Sequence, residues 1–219
     1  MCFFATRSSM KIRMKRKLAV VLLICISCHI GWAAQDFVWK SGQNMKVVCD
    51  TTEAPVVKVA LDLLKRDCRS VLSGEISRSE NTGNIYVGTW GESSVLQALA
   101  DTRQLDVAQL DEHKEAFLLN VLPDGRLVVP GSDKRGTAYG VLELSRMMGV
   151  SPWEWWADAV PEKKEEFRLP AGFRKLDYPQ VAYRGIFIND EDWGLTPWSW
   201  KHYEPSERKG QIGPKTHAR

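Results

Sequence analysis

The stretch RGIFINDEDWGLTPWSW, residues 184–200, decides how the rest of the chain is read. Gly185-Ile186-Phe187-Ile188 is apolar and β-forming, so the spacing predicts a short buried strand over Tyr183–Ile188. It runs straight into Asn189, Asp190, Glu191, Asp192 and Trp193, with Trp198 and Trp200 just beyond. An apolar strand ending in clustered carboxylates and tryptophans is the pattern of a barrel enzyme that handles sugars at the C-terminal rim of its strands. Three acids in a row ordinarily mark a solvated loop, and that suffices for Glu191. Asp190 and Asp192 lie at the strand end, on the opposite side of an extended segment from Glu191. Trp193 would lower the local dielectric beside them, and Asn189 is suited to holding a sugar hydroxyl.

Upstream, apolar periodicity alternates between strand and helix. Strands are expected at Met45–Cys49, Asn84–Gly88, Ala116–Leu122 and Arg126–Val129. Helices are expected at Ala54–Leu72, stopped by Gly74, at Ser93–Leu99, capped by Ser93 or Ser94, and at Thr137–Met148, ended by Gly149 and Pro152. Pro123-Asp124-Gly125 joins the last two strands as a hairpin turn. The order β-α-β-α-β-β-α describes a small α/β domain over residues 35–162. Residues 163–180 read as a charged linker holding Pro170 and Gly172, and residues 181–219 as the first strand of a (β/α)8 barrel. The chain ends nineteen residues after Trp200, so the expected barrel is truncated.

Residues 1–34 carry the marks of a secretory signal peptide: six basic residues by Lys17, an apolar run to Ala34, and small residues at Gly31, Ala33 and Ala34. The protein is therefore expected outside the cytoplasm, secreted or periplasmic. A lipid anchor at Cys25 or Cys28 fits poorly, because bulky Ile24 precedes one and Cys25 stands where a leucine is expected before the other. The formal net charge is +3, and without the six leader cations the remaining 24 basic residues face 27 acidic ones. That balance gives no reason to expect nucleic acid as a partner. Cys49 and Cys68 are the two cysteines beyond the leader; they read as buried thiols, with a disulfide as the alternative. No Cys/His spacing suggests a metal, no glycine pattern matches a dinucleotide or phosphate loop, and no cofactor is expected.

Two further motifs have double readings. In GSDKRGTAYG, residues 131–140, Gly131 and Gly136 bend a tight strand-to-helix turn that Asp133 caps; alternatively Lys134 and Arg135 greet an anion at the helix N-terminus. In SPWEWWAD, residues 151–158, tryptophans pack between domains, with one, Trp153 being a candidate, free to stack on a sugar ring.

These motifs together, GSDKRGTAYG, SPWEWWAD, YRGIFINDEDWGLTPWSW and GQIGPKTHAR, resemble the N-terminal portion of glycoside hydrolase family 115, from about Phe37 to Arg219. The resemblance implies an α-glucuronidase that removes glucuronic acid or its 4-O-methyl ether from glucuronoxylan. It implies an α/β domain like the one preceding the barrel in β-hexosaminidases, a polysaccharide partner and a homodimer for the full-length enzyme. Asp190 and Asp192 match its acidic first-strand end, as auxiliary catalytic groups; Asn189, Trp193, Lys134, Arg135 and Trp153 are the substrate-binding candidates. The family's principal acid and base come from later strands, so the chain alone is expected to be inactive. Arg184, at the start of the strand, is the weakest candidate cation for the uronate. A non-catalytic carbohydrate-binding module is the alternative reading, and a scaffold without sugar function a third.

Overall fold

The computed structural model describes residues 34–102, 104–154, 159–185, 187, 194–205 and 210–212. The leader up to residue 33, Trp155 and Trp156, and the acidic run with Asn189 and Trp193 lie outside the described residues. The chain divides between Pro179 and Gln180 into two units.

In the first unit the elements are β1 (Phe37–Lys40), β2 (Asn44–Val48), α1 (Pro55–Leu72), β3 (Glu75–Ser79), β4 (Ile85–Thr89), α2 (Ser94–Asp101), β5 (Phe117–Val121), β6 (Leu127–Gly131), α3 (Lys134–Met148), β7 (Glu166–Leu169) and β8 (Arg174–Asp177). Six strands form one sheet in the order β3-β2-β4-β6-β5-β8. β3, β2, β4 and β6 are parallel, while β5 runs antiparallel to both β6 and β8. The period of two along each strand sorts its side chains to opposite faces. Met45, Val47, Ile85, Val87, Leu119 and Val129 join one core with the buried faces of α1 and α3. Val48, Tyr86, Leu118 and Val128 join a second core under α2. The mixed α/β architecture expected from the sequence is thus a three-layer unit.

The local chemistry explains the elements. Apolar residues at 57, 60, 64, 68, 71 and 72 give α1 its buried stripe, and Pro55 opens it, where a missing N–H costs nothing. It stops at Ser73, which takes the left-handed conformation at φ 50°, rather than at Gly74. Gly74 is required for space instead: a Cβ there would meet the Gln43 carbonyl at 2.9 Å and Cys68 Sγ at 3.0 Å. Ser93, not Ser94, caps α2 by accepting from the Leu96 N–H. Asp133 and Gly149, φ 103°, cap α3 as its sequence implied, but the helix begins at Lys134 rather than at the expected Thr137.

The expected linker is corrected. Residues 163–180 contain β7 and β8, both strands of the first unit. β7 pairs with β1 from Phe37↔Leu169 to Lys40↔Glu166, and β8 adds an edge strand to β5. The cue was weak, because EFRL and RKLD alternate only once or twice between charges. What makes them strands is a partner far away in sequence: Phe167 and Leu169 complete the core around Phe37 and Trp39. β1 and β3 were missed for the same reason. A chain ended at Pro179 should therefore unfold cooperatively, and one ended at Glu162 should lose about 3–6 kcal/mol, the worth of burying Phe167 and Leu169. Urea midpoints measure this; equal midpoints would refute the role given to β7 and β8.

In the second unit, Leu195–Trp198 forms one helical turn, α4, continued by a wider turn over Ser199–Tyr203. The strand expected over Tyr183–Ile188 is not present at its described positions. Tyr183 and Phe187 are 98% and 93% exposed. A strand exists only by pairing, and no described strand pairs with this one.

Candidate functional site

The α3 N-terminus was one candidate for holding an anion. Its donors are already engaged. Asp133 Oδ1 accepts from the Arg135 and Gly136 N–H groups, each at 2.9 Å, and Oδ2 accepts from the Glu115 N–H at 2.9 Å. Arg135 forms an ion pair with Glu115 at 3.0 Å. Lys134 is exposed. The glycines of this motif serve close approach rather than bending, since none has a positive φ. A Cβ on Gly131 would stand 2.0 Å from the Thr137 nitrogen, and one on Gly136 would stand 2.1 Å from the Ala116 carbonyl. They let α3 start directly against β6 and β5.

Trp153 is 62% exposed and follows the far end of α3. Lys134 and Arg135 open that fifteen-residue helix, so roughly 20 Å of helix rise lies between them and Trp153. The structure therefore does not bring these three candidates together. Asn189, Asp190, Asp192 and Trp193 lie outside the described residues. Arg184 donates to the Val181 carbonyl at 2.8 Å.

Sequence reading missed the polar cluster at the C-terminal ends of β2 and β4. The chain leaves β2 through α1 to β3 on one side, while β4 lies on the other. Such a reversal of strand order is where open α/β sheets bind ligands. Here the protein fills the crevice itself. Glu53, 4% exposed, accepts from the Thr89 N–H and the Thr89 hydroxyl. Thr89 Oγ1 lies 3.0 Å from Thr137 Oγ1 on α3. Asp50 accepts from Ser93 at 2.7 Å and from Ser94 at 3.1 Å. The available signal was an acid just after a buried strand and two residues before a helix-opening proline. Glu53→Ala should destabilise the unit by about 2–3 kcal/mol by orphaning the Thr89 N–H, and Glu53→Gln, which keeps an acceptor, by less than half of that. Denaturant titration decides; an unchanged midpoint for the alanine variant would remove Glu53 from the account.

Cys49 and Cys68 are free and buried. Burial, then the nearby Glu53 carboxylate, pushes the Cys49 thiol up to about 11, and burial pushes Cys68 up to about 12. Both stay protonated at neutral pH and neither is poised as a nucleophile. Among the described residues no group of three His, Cys, Asp or Glu side chains is placed to hold a metal, and no helix is long and apolar enough to cross a membrane.

The first unit thus holds a packed scaffold with its crevice sealed. The family model for glycosyl hydrolase family 115 matches residues 176–219, the span of the acidic and aromatic stretch. A solved family 115 structure, "a novel family GH115 4-O-methyl-alpha-glucuronidase, BtGH115A, with specificity for decorated arabinogalactans", is 57% identical over 83% of this chain, with a TM-score of 0.76. The chain belongs to glycosyl hydrolase family 115. It covers 23% of that relative's length. The GH115 chain also resembles a GH20 exo-β-N-acetylglucosaminidase from Vibrio harveyi (15% identity over 71% of this chain and 19% of that one, TM-score 0.42). A Flavobacterium johnsoniae chitobiase matches at 12% identity over 74% and 21%, with a TM-score of 0.44. Neither likeness is close enough to decide anything. No curated protein matches the chain. The matches account for a glycoside hydrolase lineage and for a mixed α/β first unit similar to that of a GH115 structure.

Proposed function

We propose that this GH115 chain is part of an exported α-glucuronidase that removes glucuronic acid, or its 4-O-methyl ether, from a plant polysaccharide. The observation that carries the reading is the 57% identity, over 83% of the chain, to a GH115 4-O-methyl-α-glucuronidase. The leader supports export. In this reading residues 1–179 supply the leader and the α/β domain, and residues 181–219 open the barrel with an acidic strand end. Asp190 and Asp192 are two positions apart in sequence, and side chains that share one side of an extended segment do not flank a sugar from opposite faces as the acid and base of an inverting glycosidase do, ~6.5–9.5 Å apart with a water between base and sugar. Their work is to orient that water or to hold a sugar hydroxyl, beside Asn189 and Trp193. The principal acid and base belong to later strands, as in the family. The substrate is glucuronoxylan or a decorated arabinogalactan, the second class being the one named for the relative.

The test is a hybrid in which residues 35–219 replace the matching residues of the GH115 relative. It should release 4-O-methylglucuronic acid from one of these two polysaccharides, while the 219-residue polypeptide alone releases none. A folded hybrid that releases neutral sugars only would defeat the reading, and so would turnover by the 219-residue chain, which would place the acid and base within it.

A further inference from the structure

Two surface clefts among the described residues of the first unit carry charges that differ in kind. The larger, about 380 Å³, lies along α1 and α3. Its cations are spent: Arg66 pairs with Asp67 at 2.7 Å and Glu154 at 2.8 Å, and Arg146 pairs with Glu143 at 2.6 Å. Burial alone would raise the Glu143 carboxyl, but hydrogen bonds from Arg146 and Lys175 outweigh it and hold that carboxyl below its usual value. Nothing there calls for a charged ligand.

The smaller cleft, about 190 Å³, lies between α1 and the β2–β3 edge of the sheet. Val47, Leu61 and Ile76 give it an apolar wall, while Lys58, Lys65 and Arg78 converge on it with Asp62 as the one acid. Among the described residues none of these cations forms an ion pair within 4 Å. Lys65 feels Glu75 only through space, since Glu75 is gripped by Arg69 at 2.7 and 2.9 Å. Arg78 donates one Nη2 hydrogen bond to the Cys49 carbonyl at 2.7 Å, which anchors the guanidinium beside the cleft and leaves its other donors free.

We propose that this cleft is a secondary binding site for a single uronic acid. Three unpaired cations around an apolar wall match a ligand with one carboxylate and one C–H face. An arginine fork suits a carboxylate, and Asp62 accepts from sugar hydroxyls. The volume lies below the ~300 Å³ at which sites for drug-sized ligands begin, a size that suits a single sugar ring. The choice of a uronic acid rests on the proposed function; the preference for an anion rests on the cleft alone. Placed away from the acidic loop of residues 189–193 in sequence and in a different unit, the site would retain the released product or a terminal uronate.

The experiment is amide NMR titration of the 219-residue protein with glucuronate, glucose and inorganic phosphate at constant ionic strength. Glucuronate should shift the resonances of Lys58, Lys65, Ile76 and Arg78 saturably in the low millimolar range. Glucose and phosphate should bind at least tenfold more weakly. Arg78→Ala and Lys58→Ala should each weaken glucuronate binding at least fivefold, with amide dispersion retained. No saturable shift, shifts centred elsewhere, or phosphate binding as tight as glucuronate would overturn the proposal. Loss of hybrid activity with cleft binding intact would instead count against the functional reading, so the two failures are distinguishable.

Discussion

In the hybrid enzyme, Asp190→Asn or Asp192→Asn should lower kcat/KM by about 30- to 1000-fold, whereas Glu191→Gln should change it less than about twofold. In the proposed reading the segment is extended, which would put 190 and 192 on one side and 191 on the other, with one side facing the barrel mouth. A carboxylate that orients the attacking water, or holds a hydroxyl whose bond tightens in the transition state, is worth about 2–4 kcal/mol when removed. Asparagine keeps the size and loses the charge, so the comparison isolates the carboxylate. A solvated glutamate contributes almost nothing of this kind. The measurement is kcat/KM of the three variants on a glucuronate-decorated oligosaccharide, with melting temperatures alongside. Greatest damage in the Glu191 variant, with its fold intact, would reverse the assignment of the inward face.

The second large effect concerns folding. Gly136→Ala and Gly131→Ala should each destabilise the α/β unit by about 3 kcal/mol or more. The added Cβ would lie 2.1 Å from the Ala116 carbonyl in one case and 2.0 Å from the Thr137 nitrogen in the other. Both obstacles are backbone, so relief needs α3 to lift from β5 and β6, and overpacking of that kind costs more than a rotamer change. A domain of this size should lose roughly 6–12 °C in Tm. Gly42→Ala is the control. Gly42 has φ 74° and nothing within 4 Å of the added Cβ, so the cost is the backbone strain alone, about 1 kcal/mol. If the three variants melt together, close approach is not why Gly131 and Gly136 are there.

Those glycines show where the sequence was legible and where it was not. GSDKRGTAYG announced a strand-to-helix turn capped by Asp133, and the cap is there. Whether its glycines bend the chain or make room depends on what lies across from them, Ala116 and Thr137, and spacing along the chain carries no such information. Elements with a local signal, such as the helical stripe of α1 and the continuous apolar runs of β4, β5 and β6, were readable because that signal is complete within the segment itself. β1, β3, β7 and β8 were not, because each is a short strand at a sheet edge or in a two-stranded ribbon, whose identity comes from its partner. The acidic stretch after Ile188 was read as chemistry through the order of apolar, acidic and aromatic residues, and it lies outside the described residues. The sealed crevice at Glu53 was not, since one acid after a strand becomes meaningful only when Thr89 and Thr137 arrive from other elements.

The central claim is that the GH115 chain serves an enzyme that selects a uronic acid. The most direct measurement compares kcat/KM of the hybrid on two oligosaccharides identical except at the side residue, one carrying 4-O-methylglucuronic acid and the other 4-O-methylglucose. The account predicts at least a 100-fold preference for the uronate, because a site built for a carboxylate leaves buried donors unpaired when a hydroxymethyl group replaces it. Equal rates on the two substrates, or a preference for the neutral sugar, would contradict it.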